Sequence, residues 1–342
     1  MKQFILHSWI LCLLVVMTGC SKDDAGAVDS AQSPIEFTTD GPALFITRSV
    51  IENNSHLQAA GFGVLAYMKG TNGATACYDG ENIWNTGAPN FMYNQQVSWS
   101  TDHWTYSPVK YWPNDNNPAD GSGAEGSQTN SYVSFFAYAP YTDLSSSPAI
   151  GITGLSANSA TTAPTITYVW DAEADLLYDA KPDCYKTDAA GDGRVSGAVQ
   201  FSFKHALAQV KFKVRRSSGF SLAVTLKSLT VSGFLTRGTF DLGAKTPSWS
   251  SITGSGSKTF DPEPDMTVTK ETEATAHDIG SMLVIPGSSL SYTISYSIAG
   301  TEYSYTDGPL SLDLQMGYQY TIIFTIDADG IIVDTEKYTE QW

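Results

Sequence analysis

Chemistry on a protein needs a histidine, a cysteine or paired carboxylates held close together, and this chain supplies them sparsely. Of its five histidines, His56, His103, His205 and His277 lie far apart, with no i, i+4 pair to seat a metal. No H-E-x-x-H, paired C-x-x-C or G-x-S-x-G occurs, so zinc-hydrolase and nucleophile-elbow chemistry have no starting residues. Gly254-Ser255-Gly256-Ser257-Lys258-Thr259 is close to a phosphate loop, but Ser257 stands where a glycine must precede the Lys. No helical pattern follows it, and it reads as a surface loop. Asp115, Asn117 and Asp120 in a Gly-rich stretch, and Asp327 with Asp329, offer oxygen ligands to a hard cation. Neither group completes a calcium-loop pattern, so both read as solvated turns. His205, on an apolar strand, reads as a satisfied core histidine. These residues point to no enzyme, no metal and no cofactor.

The N-terminus carries a different chemistry. Met1 to Cys20 reads MKQFILHSWILCLLVVMTGC: one Lys, an apolar core over Trp9–Met17, then small residues before a cysteine. That is the layout of a secretory signal, and the core is shorter than the about 20 apolar residues a membrane-spanning helix needs. Met17-Thr18-Gly19-Cys20 resembles a bacterial lipobox, with Met17 where Leu is usual. Residues 1–19 then read as a lipoprotein signal peptide, and Cys20 as the diacylated (palmitate-type) first residue of the mature chain. Lys22-Asp23-Asp24 looks like a Lys-plus-acidic signal for the outer face of the outer membrane. Cys12 leaves with the signal and Cys20 carries lipid, so Cys77 and Cys184 remain, either as one disulfide or as two packed thiols.

The elements that must carry these features are strands. The chain has 342 residues, 16% charged and 12% aromatic, with 29 Gly and 15 Pro. Low charge with many Tyr, Thr and turn formers reads as all-β and excludes a coiled coil or an acidic disordered tail. The net charge of −16 becomes −17 when Lys2 leaves with the signal. With no basic cluster to neutralise phosphates, nucleic acid is excluded as a partner. Residues 20–33 form a polar, flexible tether. Strands are expected at Pro34–Thr38, Ala43–Val50, Gly61–Tyr67, within Phe91–Trp112, at Tyr132–Pro140 and within Thr165–Tyr178. Further strands follow at Val199–Val214, Leu222–Phe234, Met282–Ile285, Leu290–Ile298 and Tyr318–Val333. In Val199–Val214, Val210, Phe212 and Val214 alternate with Lys211 and Lys213, the period of a half-buried strand. No amphipathic segment is long enough for a major helix. A Gly/Asp-rich stretch near residue 195 marks a boundary between two β-sandwich domains, 34–195 and 196–342.

Several motifs in order then carry a family resemblance. They are Trp104-Thr105-Tyr106, Lys110-Tyr111-Trp112-Pro113, Val133-Ser134-Phe135-Phe136-Ala137-Tyr138-Ala139-Pro140 and Asp175-Leu176-Leu177-Tyr178. His205-Ala206-Leu207-Ala208, Leu283-Val284-Ile285-Pro286, Met316-Gly317-Tyr318-Gln319-Tyr320-Thr321 and the closing Trp342 complete the set. Together with the lipobox, over almost the whole mature chain, this resembles the fimbrillin family of type V pilin precursor lipoproteins, in its Mfa-like branch. The resemblance implies two consecutive transthyretin-like β-sandwich domains and assembly into a fimbrium by donor-strand exchange. It also implies a trypsin-like protease that cuts after an N-terminal Arg, with other pilin subunits as partners and adhesion as the outcome.

The residues allow that mechanism to be located. Arg48, in Ile46-Thr47-Arg48-Ser49, is the only Arg before Arg194, so a cut between Arg48 and Ser49 is expected, with an ordinary exposed strand-end Arg as the competing reading. It would uncover sheet surface covered by Leu44 and Ile46, and an uncovered edge is a template for another chain. The donor candidate is the C-terminal hairpin over 318–342, with Ile322, Phe324 and Ile326 on one strand face and Ile331 and Val333 on the next. A turn at Ala328-Asp329-Gly330 joins them. The same hairpin packed within its own domain is the competing reading. The alternative function is a non-polymerising surface lipoprotein that stacks exposed aromatics, Trp84, Trp99 or Trp104, on glycans.

Overall fold

Alternating apolar and polar side chains become strands along most of the described residues, in a computed structural model that describes residues 33–40, 51, 53–68, 90–112, 133–157, 164–184, 198–270 and 276–338. In chain order these are β1 (Phe37–Asp40), α1 (Asn54–Ala60), β2 (Phe62–Met68), β3 (Asn90–Ser100), β4 (His103–Thr105), β5 (Val133–Ala139), β6 (Gly151–Leu155), β7 (Thr165–Val169) and β8 (Leu177–Cys184). There follow β9 (Val199–Ser202), β10 (Lys204–His205), β11 (Ala208–Arg216), β12 (Val224–Phe234), β13 (Arg237–Asp241), β14 (Ser248–Thr253), β15 (Gly256–Phe260) and β16 (Met266–Val268). The last are β17 (His277–Val284), β18 (Ser291–Ile298), β19 (Thr301–Asp307), β20 (Gln319–Asp327) and β21 (Gly330–Tyr338). The helix α1 is two turns long: Asn53 caps it by accepting from the His56 amide at 3.0 Å, and Gly61 ends it at φ 63°, a backbone geometry natural to glycine.

A six-stranded sheet runs β10-β8-β5-β2-β3-β4 and is buried on both faces at its centre. Every residue of β5 is buried, which explains why Val133–Ala139 reads as a continuous apolar run rather than an alternation. On one face Phe62, Val64, Val133, Phe135 and Ala137 join a core with Ile35, Phe37 and Phe201. On the other, Leu65, Tyr67, Phe136 and Tyr138 pack with Ile152, Ile166, Tyr168 and Phe240. That second cover is a four-stranded sheet, β14-β13-β7-β6.

The rest of the chain forms two sheets over a third core. One runs β17-β11-β20-β21 and the other β15-β12-β18-β19, with β16 also on β12. Between them lie Val210, Phe212 and Val214 of β11, Leu229 and Val231 of β12, Ile294 of β18 and Ile322, Phe324 and Ile326 of β20. Lys211 and Lys213 face away, as their alternation requires, and Lys213 meets Asp278 at 3.6 Å. Strand pairing crosses residue 195 three times: β1 with β9, β8 with β10 and β7 with β13.

Two readings from sequence change. The stretch around Ser257-Lys258-Thr259 is strand β15, paired with β12, not a loop. Trp104 is a core residue, 8% exposed, in edge contact with Phe62 at 4.8 Å. It has no free ring face for a sugar. Trp99 packs against it at 5.2 Å, and Trp84 lies outside the described residues. Strands β6, β13, β14, β16 and β19 were not expected, because their short or largely polar segments offer little apolar alternation.

Candidate functional site

The site is a groove filled by the chain's own first described segment. Ser33 to Asp40 alternates strictly: Ile35 and Phe37 are 1% and 3% exposed, while Pro34, Glu36, Thr38 and Asp40 face water. This is the period-two pattern of a strand laid on an apolar floor. Its backbone is held at both ends. The Ile35 amide donates to the Lys110 carbonyl at 2.9 Å, and the Trp112 amide to the Ser33 carbonyl at 3.0 Å. Beyond them β1 runs parallel to β9, with Phe37 beside Val199 and Asp40 beside Ser202.

Aromatic rings form the floor and walls. Phe37 stacks on Phe201 at 5.7 Å, meets Phe62 and Phe135 edge-on at 6.1 and 5.9 Å, and touches Tyr106 at 5.4 Å. Trp112 meets Phe135 at 5.9 Å. Such ring pairs add roughly 0.5–1.5 kcal/mol each beyond the area they bury. Polar atoms at the rim are paired with the insert. The Tyr106 hydroxyl donates to the Ile35 carbonyl at 2.8 Å, and burial pushes its pKa up. Trp104 Nε1 donates to Thr39 Oγ1 at 3.1 Å, and Gln200 Nε2 to Asp40 Oδ1 at 2.6 Å.

A second anchor holds the chain just after the insert. Asp175, 3% exposed, accepts from the Ile51 amide at 3.2 Å and the Leu176 amide at 2.8 Å. Its other neighbour is His205 Nδ1, at 3.1 Å. His205 is thus a core histidine whose partner is Asp175, the first residue of one of the sequence motifs.

The residues singled out from sequence are placed unevenly. Cys20, Leu44, Ile46, Arg48, Ser49, Cys77, Asp115, Asn117 and Asp120 lie outside the described residues. The described side chains that fill the groove are Ile35 and Phe37, whose only signal was the alternation Ile-Glu-Phe-Thr. Tyr106 and Asp175 stood within motifs, but nothing local showed what they bind. The buried Cys184 thiol lies 3.4 Å from the Lys181 carbonyl. At the C-terminus, Ile322, Phe324 and Ile326 are fully buried in β20, which pairs with β11 on one side and β21 on the other. Ile331 and Val333 of β21 are half-buried against the same core, and β21 pairs only with β20 among the described strands. No group of three or more His, Cys, Asp or Glu suited to a metal occurs among the described residues.

These features define a mostly β protein in which an N-terminal strand fills a groove built by later strands. The chain belongs to the fimbrillin-like family, whose match spans residues 127–342. That family is one of structural rather than enzymatic proteins, as the motifs from Trp104 onward implied. Over 223 residues the chain is 31% identical to the fimbrium subunit Fim1C of Phocaeicola vulgatus, an alignment covering 59% of this chain and 49% of that protein. The chain thus spans about half the length of this curated relative. The crystal structure of a fimbrial protein from Bacteroides vulgatus shares the fold, with a TM-score of 0.61 at 22% identity, covering 90% of this chain and 99% of that one.

Proposed function

We propose that the chain is a fimbrial subunit precursor that is exported as a surface lipoprotein through Cys20. A cut after Arg48 releases its N-terminal insert, and a strand from a neighbouring subunit then takes the insert's place. The carrying observation is the position of Arg48 between two fixed points. The described part of the insert reaches Asp40, and the body of the protein is held again at Ile51 by Asp175. A cut between them separates a strand with two buried anchors from a body that retains the groove.

Loss of Ile35 and Phe37 would expose the rings of Phe62, Tyr106, Phe135 and Phe201 to water. At about 25 cal/mol per Å² of apolar surface, an exposed aromatic groove strongly favours refilling, and a strand that restores the ladder is the natural occupant. The C-terminal hairpin supports a donor role through its alternation. Of its two strands β21 is the separable one, because β20 is bonded on both edges and its Ile322, Phe324 and Ile326 close the core. Ile331 and Val333 then stand two residues apart, as Ile35 and Phe37 do. Two transthyretin-like sandwiches, read from sequence as 34–195 and 196–342, remain the domain reading; separate cores around Phe62 and Phe212 support two units. Val199, Phe201 and Phe203 belong to the first core, so the proposed boundary moves beyond them, with the β6, β7, β13, β14 sheet shared between the units. The proposed setting is the outer membrane before processing and the fimbrium after it, where the subunit contributes to adhesion.

The test is limited trypsin treatment of the surface-displayed protein, with N-terminal sequencing and SDS gels of unheated samples. A product beginning at Ser49 that forms SDS-resistant multimers is expected, and Arg48→Gln should yield neither. A product that begins at Ser49 and stays monomeric at all concentrations would overturn strand replacement.

A further inference from the structure

Strand β19, remote in sequence from the groove, is an exposed edge among the described strands. All seven of its residues, Thr301–Asp307, are exposed, and among the described strands it pairs only with β18, without a register shift. Its sequence, TEYSYTD, contains no Lys, Arg or Pro, and of the charged residues that blunt an edge it has only Glu302 and Asp307, leaving Tyr303–Thr306 between them uncharged. Its Tyr and Thr favour extended backbone.

The hairpin that ends in β19 decides which backbone groups are available. Ile298 pairs with Thr301 across a two-residue loop, Ala299-Gly300, and both loop residues have positive φ, 49° and 84°. That is a type I′ turn, whose flanking pair is hydrogen-bonded. Thr301, Tyr303, Tyr305 and Asp307 therefore spend their backbone groups on β18, and Glu302, Ser304 and Thr306 direct theirs outward.

The side chains show the same incompleteness. Tyr303 and Tyr305 stand opposite Tyr296 and Ile294, on the face that is core in β18. Yet they are 46% and 36% exposed, although Tyr303 stacks on Tyr296 at 5.7 Å. On the other face, Thr259, Thr230, Thr293 and Thr306 fall in one row across β15, β12, β18 and β19. Their hydroxyls are linked at 2.9 Å in the pairs Thr230–Thr259 and Thr293–Thr306. Ser304 and Thr306 on one face and Tyr303 and Tyr305 on the other carry no charge, so the acidic groups of β19 are confined to Glu302 and Asp307 toward its two ends.

We infer that β19 pairs antiparallel with β19 of a second copy of this chain, about a two-fold axis through Ser304, joining the two five-stranded sheets laterally. Ser304 then lies opposite Ser304 of the second copy, and Glu302 opposite its Thr306, giving about six ladder hydrogen bonds from the outward-directed groups. Tyr303 meets Tyr305 of the second copy in a non-hydrogen-bonded pair, where side chains are closest, and the partly exposed rings cover each other. Glu302 and Asp307 face the hydroxyls of Thr306 and Thr301, so no carboxylate meets another. A parallel pairing in the same register would set Glu302 against Glu302 and Asp307 against Asp307. Such an isologous contact depends on neither Arg48 cleavage nor strand replacement, and it acts sideways to a strand-exchanged fibre.

The test is disulfide trapping in the full chain, with the unsubstituted chain as background. Across the two-fold axis a hydrogen-bonded pair has Cα atoms about 5.5 Å apart, within disulfide reach. Ser304→Cys should therefore give, on oxidation, a covalent dimer of about twice the 36.9 kDa chain. Thr306→Cys should not, because the two copies of residue 306 lie roughly 13 Å apart. By sedimentation velocity, Ser304→Lys, which opposes two like charges while leaving the chain's own ladder intact, should weaken self-association at least tenfold without lowering the melting temperature. Absence of a Ser304→Cys dimer, equal trapping at 304 and 306, or association unaffected by Ser304→Lys would each overturn the proposal.

Discussion

Phe37 and Phe201 lie stacked, ring centroids 5.7 Å apart and planes 23° from parallel, across the parallel pairing of the first strand with the ninth. The two residues are 164 positions apart in the chain. Phe37 belongs to the proposed insert and Phe201 to the body, so this ring pair marks the seam along which the protein is expected to open.

Truncating the insert's main anchor should weaken the whole protein. Phe37→Ala removes a ring that touches four others and leaves a cavity, at a cost of about 3–5 kcal/mol. Glu36→Ala, on the exposed side of the same strand, should stay within about 0.5 kcal/mol. Urea unfolding midpoints of the two variants against the parent check both.

The Asp175 anchor predicts a graded series. Asp175→Ala leaves the Ile51 and Leu176 amides and the His205 ring without their shared acceptor in a buried setting, for a loss of about 3–5 kcal/mol. Asp175→Asn keeps the shape and one acceptor oxygen and should cost about 1–3 kcal/mol. Amide exchange at Ile51 should accelerate in both, most in the alanine variant.

Gly63 gives a steric prediction. A Cβ there would lie 2.4 Å from Cε1 and Cζ of Tyr138, a ring buried in the sheet and hydrogen-bonded through its hydroxyl to Asn94. Gly63→Ala must displace that ring, costing about 1–3 kcal/mol. Thermal denaturation should show it, and Gly219→Ala, where a Cβ meets nothing within 4 Å, serves as the control.

Alkaline pH should unfold the protein through its tyrosines. Burial, which disfavours the tyrosinate, raises the pKa of Tyr67, Tyr138 and Tyr168 well above 10.0, and pushes Tyr292 up to about 12. Folded pKa values above the unfolded one mean that the folded state binds more protons in that window. Their stabilisation is therefore complete below pH ~10 and is lost as pH rises through the folded values. Urea midpoints should fall steeply above pH ~10, and tyrosinate absorbance should rise together with loss of the circular dichroism signal. Tyrosine titration well ahead of unfolding would contradict this.

Legibility from sequence followed how local each signal was. The run Val133–Ala139 and the alternation Val210, Phe212, Val214 announced buried and half-buried strands, because burial leaves a periodic trace in neighbouring residues. Thr301–Asp307 announced nothing: both faces are exposed, so its polar composition looks like loop. Trp104 was read as an exposed aromatic because ring burial depends on Phe62, 42 positions earlier. Ile35 and Phe37 fill the groove, while Leu44 and Ile46, the pair expected from sequence to cover sheet surface, lie outside the described residues; a short apolar alternation near the N-terminus does not name its partners.

From residues alone one could read a mostly β chain, the family its motifs carry, and a single early Arg. Each depends on composition or on residues adjacent in the chain. Only the tertiary structure decided that Ile35 and Phe37 sit among rings drawn from four later strands and loops. It alone showed that Asp175 ties Ile51 to His205 and that β19 is an edge among the described strands. Those are statements about residues tens to hundreds of positions apart, brought together by strand pairing. Chain order carries no record of which edges end up covered.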